Sequence, residues 1–267
     1  MERTGIGAVR TGMRRLSLPV LLGLFACHAT GAMPPLLEGA LEKYAADYDH
    51  WAYTQTVVER NEKGKVLREA VVRFDPSKPY PEQYTPLKID GEPPKQGDLK
   101  KYRKQGERRE KRLAEAESEG TTAPQKTLGE LMDLDRATLV EETEQFATFN
   151  VPLKKEGNSR LPPEKFKVSV NVAKRTGAFS SIVAELRSPV RAEVIVKIKS
   201  GVGRLTFATV QPEFTPAVES ISGKGAGSIL FVKVGRSYDL KRSDFVRVKP
   251  YANKFQVKMG PLKSIDF

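Results

Sequence analysis

The sequence predicts a mainly β protein of the α+β kind, built on one strongly curved antiparallel sheet or open barrel with a few covering helices. Strand signals recur through most of the chain at intervals of roughly ten residues with turn residues between them, which is the spacing of a meander. The apolar residues in those runs alternate, as in Phe166, Val168, Val170 and Val172, and again in Val190, Ala192, Val194, Val196 and Ile198, so each strand has one greasy and one charged face. Helical spacing is confined to short stretches, too few to cover so large a sheet.

In order, Leu36 to Tyr48 opens after Pro34-Pro35 and sets Leu37, Ala40, Leu41, Tyr44 and Ala45 at helical spacing, an amphipathic helix over the sheet. His50 to Glu59 alternates Trp51, Tyr53, Gln55 and Val57, and Val66 to Phe74 follows after Asn61-Glu-Lys-Gly64, which makes a hairpin. Tyr84 to Ile89 is a third strand closed by Asp90-Gly91. The segment 97–126 reads as an insertion, either a solvated helix or a disordered stretch, because only Leu99, Tyr102 and Leu113 offer it a core-facing side. A short helix, Leu128 to Leu134, precedes further strands at 137–142, 145–151, 166–173, 178–186, 191–199, 204–210, 218–223, 229–234 and 244–248. With the first three, the count approaches about twelve, which suits one curved sheet better than a small sandwich. The clusters Gly201-Val-Gly203 and Gly223-Lys-Gly-Ala-Gly227 read as hairpin turns, since neither lies between a strand and a helix as a phosphate-cradling loop does.

The N-terminus has the order of a secretory leader: Arg3, Arg10, Arg14 and Arg15, then the apolar run Leu16 to Cys27, then Ala29-Thr-Gly-Ala32. Residues 1–32 are thus expected to be removed, and 33–267 to form one domain in the periplasm, without a membrane-spanning helix. The alternative treats Leu24-Phe-Ala-Cys27 as a lipobox, with Cys27 anchoring the protein to the membrane. Cleavage after Ala32 takes the lone cysteine away, leaving no disulfide and no thiolate.

The chain carries 45 basic and 33 acidic residues, a net charge of +12. Export argues against nucleic acid as the partner of that charge, leaving an anionic membrane surface or an acidic envelope protein, or simple solubility. Lys100, Lys101, Arg103, Lys104, Arg108 and Arg109 concentrate it in one segment, a solvated face or a docking element.

Catalysis finds little to work with. Beyond the leader the only histidine is His50, so neither a Ser-His-Asp nor a Cys-His arrangement is available, no cofactor is implied, and no zinc or calcium ligand set stands out. Trp51, Tyr53, Phe74 and Tyr84 either pack a core or line the mouth of an apolar cavity. If the concave face is left open, the inward positions Val57, Val72, Phe149, Val168, Val170, Val194, Val196, Phe207 and Phe231 join Trp51, Tyr53 and Phe74 as its lining.

The hairpin at Trp51-Ala-Tyr-Thr54, then Arg73-Phe-Asp-Pro-Ser77 and Leu87-Lys-Ile-Asp-Gly-Glu-Pro-Pro94, resemble exported Gram-negative proteins of the lipoprotein-localisation-factor (LolA-like) group. Glu185-Leu-Arg-Ser-Pro189, Val194-Ile-Val-Lys-Ile198 and Leu205-Thr-Phe207 are similar to its central hairpins, and the resemblance runs from Leu41 to Val248. It implies a half-open barrel of about eleven antiparallel strands, a closure well short of a full barrel, with helices plugging the concave side and a cavity for acyl chains or another hydrophobic ligand. No gating residue carries over, and the basic run Lys100 to Arg112 is long for such a domain. The expectation is a non-catalytic binding protein, a carrier or sensor of lipid or lipoprotein acyl chains. The alternative is an interaction module with a filled core and a basic docking segment.

Overall fold

A computed structural model describes residues 32–155, 162–193, 196–229 and 232–254. The described residues form an open antiparallel sheet of eleven strands with three α-helices. Helix α1 (Pro35–Asp47) starts where Pro34 and Pro35 preset helical φ, and it buries Leu37, Ala40 and Leu41 at the i, i+3, i+4 positions of one face. Strands β1 (Trp51–Asn61) and β2 (Val66–Phe74) form a hairpin whose turn places Gly64 at φ +79°, a region glycine enters without strain. Tyr80–Glu82 makes a 3₁₀ turn, and β3 (Tyr84–Ile89) returns along β2.

Helices α2 (Gln96–Ser118) and α3 (Ala123–Leu131) follow. The Asp98 carboxylate accepts from the Lys95 backbone N–H at the start of α2, and Thr122 with Gln125 forms a capping box on α3. The charged insertion is therefore ordered as helix, and the third helix begins at Ala123 rather than Leu128, because that capping box fixes its start.

The remaining strands are β4 (Thr138–Glu142), β5 (Phe146–Asn150), β6 (Phe166–Ala173), β7 (Ala178–Leu186), β8 (Val190–Glu193), β9 (Val196–Ala208), β10 (Ala217–Ile229) and β11 (Val232–Arg247). Their order across the sheet is β3-β2-β1-β11-β10-β9-β7-β6-β5-β4, with β8 pairing the start of β9. The sheet is not closed: β3 and β4 are its edges. The first hairpin meets the last strand inside the sheet, where β1 pairs with β11 from Trp51–Arg247 to Asn61–Arg236.

The glycine clusters correct the expected hairpin turns. Gly201 and Gly203 lie within β9, Gly223 and Gly225 within β10, and the register pairs Gly203 with Gly223 and Gly201 with Gly225. Two bare backbones thus face each other across one ladder, inside strands of 13 residues each. The run expected at 191–199 is instead divided, its first part in β8 and its last in β9, which pair antiparallel with Val190 opposite Ile198; that expected at 229–234 divides between the end of β10 and the start of β11.

Burial divides into three groups. The largest joins Leu37, Ala40 and Leu41 of α1 to Phe149 of β5 and to Val168, Val170 and Val172 of β6. Each leucine, valine or phenylalanine among them, fully withdrawn from water, contributes about 1.5–3 kcal/mol. A second group is aromatic, with Trp51, Tyr53 and Phe74, and a third sets Ala70 and Val72 against Tyr102 of α2.

Candidate ligand cavity

Between these groups the sheet and the helices do not meet. The gap holds two adjoining lobes, about 250 Å³ and about 480 Å³, whose walls share Tyr44 of α1, Tyr48, Tyr84 of β3, and Gln105 and Arg109 of α2. The first lobe is floored by three neighbouring strands, with Trp51, Tyr53 and Gln55 from β1, Phe74 from β2 and Leu240 and Arg242 from β11. The second is lined on the helix side by Leu113, Pro124 and Leu128, with Met132 just beyond α3, and on the sheet side by Ile182, Leu205 and Phe207. Cavities of a few hundred Å³ lined by apolar side chains and a few polar groups are the usual form of a small-molecule site.

Aromatic rings hold the first lobe open by bracing one another. Tyr53 and Phe74 lie 5.0 Å apart and Phe74 and Tyr84 4.9 Å apart, while Trp51 meets Phe214 and Phe245 edge-on at 5.9 and 6.1 Å. Burial pushes the Tyr44, Tyr53 and Tyr84 hydroxyls above their ordinary pKa, so they remain neutral phenols. His50, beside the lobe's edge, is pushed below its ordinary value by burial and by the Arg247 guanidinium, against the pull of Asp47 and Asp49.

Arg109 closes the roof. Its side chain is only 9% exposed; its Nη2 donates to Asp49 Oδ1 at 2.5 Å and its Nε to Gln83 Oε1 at 2.8 Å. Gln83 is itself buried and donates to the Lys78 carbonyl at 3.0 Å. The guanidinium also lies 5.3 Å from the Phe74 ring centre and 5.6 Å from that of Tyr48. Burial is the strongest single influence and opposes its charge, but the charge and hydrogen bond of Asp49 together with Tyr48 and Tyr84 outweigh it, and the Arg109 pKa lies above its ordinary value. A second pair fixes the base of the lobe, where Arg247 binds Asp47 and stacks 4.0 Å over Phe214.

The chain matches no known protein family, no curated protein and no solved structure. Its geometry alone therefore speaks for its function. Among the residues expected in a cavity, Trp51, Tyr53 and Phe74 line the first lobe and Phe207 the second, so the aromatics both pack and line. Phe149, Val168 and Val170 are instead filled over by α1, Val72 is covered by α2, and Val57 lies half-buried further along β1. Val194 and Phe231 lie outside the described residues, as does the side chain of Val196. Of the basic segment, Lys100, Lys101, Arg103, Lys104 and Arg108 are exposed, whereas Arg109 turns into the roof. Arg108 and Arg112 also reach the rim of the second lobe. Among the described residues no group of three or more histidine, cysteine or acidic side chains could hold a metal, and no helix is long and apolar enough to cross a membrane.

Reading the strands alone missed Gln55, Leu240 and Arg242 as one constellation. The signal was present as period-two alternation through Tyr238, Leu240 and Arg242, but the break expected before Asp244 hid it.

Proposed function

We propose that this is an envelope protein that binds one hydrophobic ligand, a lipid or a lipoprotein acyl chain, as carrier or sensor and without chemistry. The observation that carries this reading is the two-lobed cavity between the open sheet and the helices, with an aromatic lobe and an aliphatic one. An alkyl chain moved from water onto the walls formed by Leu113, Leu128, Ile182, Leu205 and Phe207 gains about 0.8 kcal/mol per buried methylene. The leader sequence supports delivery to the periplasm, with attachment through Cys27 as the alternative.

The test is mass spectrometry, native and after organic extraction, of leader-less protein purified without detergent. A stoichiometric lipid, or saturable uptake of a hydrophobic fluorophore, is the expected result. An empty protein that also rejects added lipid and fluorophore refutes the reading.

One observation favours a second role beside the first. Lys100, Lys101, Arg103, Lys104 and Arg108 stand exposed on α2, where Glu107 answers Arg103 at 3.7 Å across solvent, a contact worth little. Such a face suits an acidic envelope protein or an anionic membrane surface. Serine at Lys100, Lys101, Arg103 and Lys104 should then abolish sedimentation with anionic vesicles, or capture of an acidic partner, while leaving lipid content unchanged; undiminished association with both excludes it.

A further inference from the structure

Strand β11 delivers alternate side chains to opposite faces, and Tyr238, Leu240 and Arg242 all fall on the face that lines the first lobe. An arginine thus stands in the inward row of a central strand, opposite Gln55 of β1 in the register and beside it in the lobe. Its guanidinium lies 4.2 Å from the centre of the buried Tyr53 ring.

Among the described residues, Arg242 has no carboxylate at ion-pair distance. The two acids that line the same lobe are already engaged, Asp47 by Arg247 and Asp49 by Arg109. Arg242 Nη1 reaches the Val218 carbonyl only at 3.4 Å, and its enclosed Nε has no acceptor. A guanidinium does not lose its proton at any ordinary pH, so the protein cannot relieve this by neutralising it. Arg242 is half-buried, and an enclosed donor left without an acceptor is costly until something pairs with it. Stacking on Tyr53 offsets part of that cost but leaves the in-plane Nε donor unsatisfied. The second lobe adds Arg108 and Arg112 at its rim and no acid to its lining.

Building on the ligand-binding reading above, we infer that the ligand is an amphiphile with an anionic head, a carboxylate or a phosphate, which Arg242 binds in the first lobe with its chain in the second. The planar fork of donors matches two oxygens of either head, and Gln55 stands beside it as a further hydrogen-bonding group. A neutral lipid of the same length would fill the same apolar walls and leave the guanidinium unpaired.

The test compares two fluorescent probes, cis-parinaric acid and its methyl ester, which share a chain and differ in charge, titrated into the leader-less wild-type protein stripped of lipid. The acid should bind at least about tenfold more tightly, the scale of a charge-assisted hydrogen bond. Arg242→Gln should erase that preference, so that acid and ester bind alike, and Arg242→Lys should keep most of it. Competition by laurate or by dodecyl phosphate then identifies which anionic head the site prefers, and displacement by either supports the inference. Equal affinity of the wild type for acid and ester overturns it and leaves the hydrophobic cavity standing; binding of neither overturns both. A preference that survives in a folded Arg242→Gln protein also overturns it, since the discriminating charge would then lie elsewhere.

Discussion

At the scale of single residues, Arg109 is the clearest case of a charge whose meaning depends on one partner. It came from a run of basic residues that looks uniform, yet it alone among Lys100, Lys101, Arg103, Lys104 and Arg108 turns inward, because Asp49 and Gln83 receive it. Removing one member of a buried ion pair leaves the other uncompensated and costs about 3–5 kcal/mol, whereas replacing both with apolar groups is close to neutral. Asp49 is a quarter exposed, so water softens the loss. Asp49→Ala should therefore cost about 2–3 kcal/mol, towards the lower end of the buried range or below it. Adding Arg109→Met to that variant should recover most of the loss. Urea unfolding of the two single variants and the double variant measures both numbers; additive losses would mean that the pair is not coupled.

At the scale of elements, α2 decides whether the cavity has a roof. The sequence offers it few apolar residues, and counting Leu99, Tyr102 and Leu113 left a disordered insertion open. The inward face is in fact Tyr102, Gly106, Arg109, Leu113 and Ala116, at alternating steps of four and three, with Leu99 left 41% exposed. A glycine and an arginine within that face carry no hydrophobic signal, so periodicity could not find it. Gly106 is there for close approach: a Cβ added to it would stand 1.8 Å from the Tyr80 carbonyl oxygen. In a free helix Gly→Ala gains about 1 kcal/mol, but forcing atoms into a packed contact costs about 1–3 kcal/mol, and here the obstacle is backbone that cannot rotate away. Gly106→Ala should thus lower the urea midpoint and, with α2 displaced, weaken retention of a hydrophobic fluorophore, while far-UV circular dichroism keeps its helical content. A gain in stability would show that α2 does not bear on the Tyr80–Glu82 turn. The strands were more legible, since β2, β3, β6 and β7 have the bounds that alternation gives them. Alternation failed where glycine removes the side chains it relies on, at Gly201, Gly203, Gly223 and Gly225, so that β9 was read in two pieces and β10 as one short run.

At the scale of the whole molecule, the cavity belongs to no single part of the chain. Tyr44 and Tyr84 come from the first hundred residues, Leu205 and Phe207 from β9, and Leu240 and Arg242 from the last strand, which the β1–β11 ladder joins to the first hairpin. Such contacts form only after distant segments have met, so a ligand that touches these walls binds the folded state and has no equivalent site in the unfolded chain. Mass action then stabilises the fold by about 2.7 kcal/mol when free ligand stands at a hundred times its Kd. For a domain of this size each kcal/mol moves the unfolding midpoint by about 2–4 °C, so saturation with a long-chain acid should raise Tm by several degrees in one cooperative step. Shortening the chain should reduce the rise progressively, because each methylene lost from the second lobe removes about 0.8 kcal/mol of binding. Calorimetry across a series from octanoate to hexadecanoate separates this from surface adsorption: a midpoint that does not move, or that moves equally for every chain length, would mean that the second lobe is not where the chain lies.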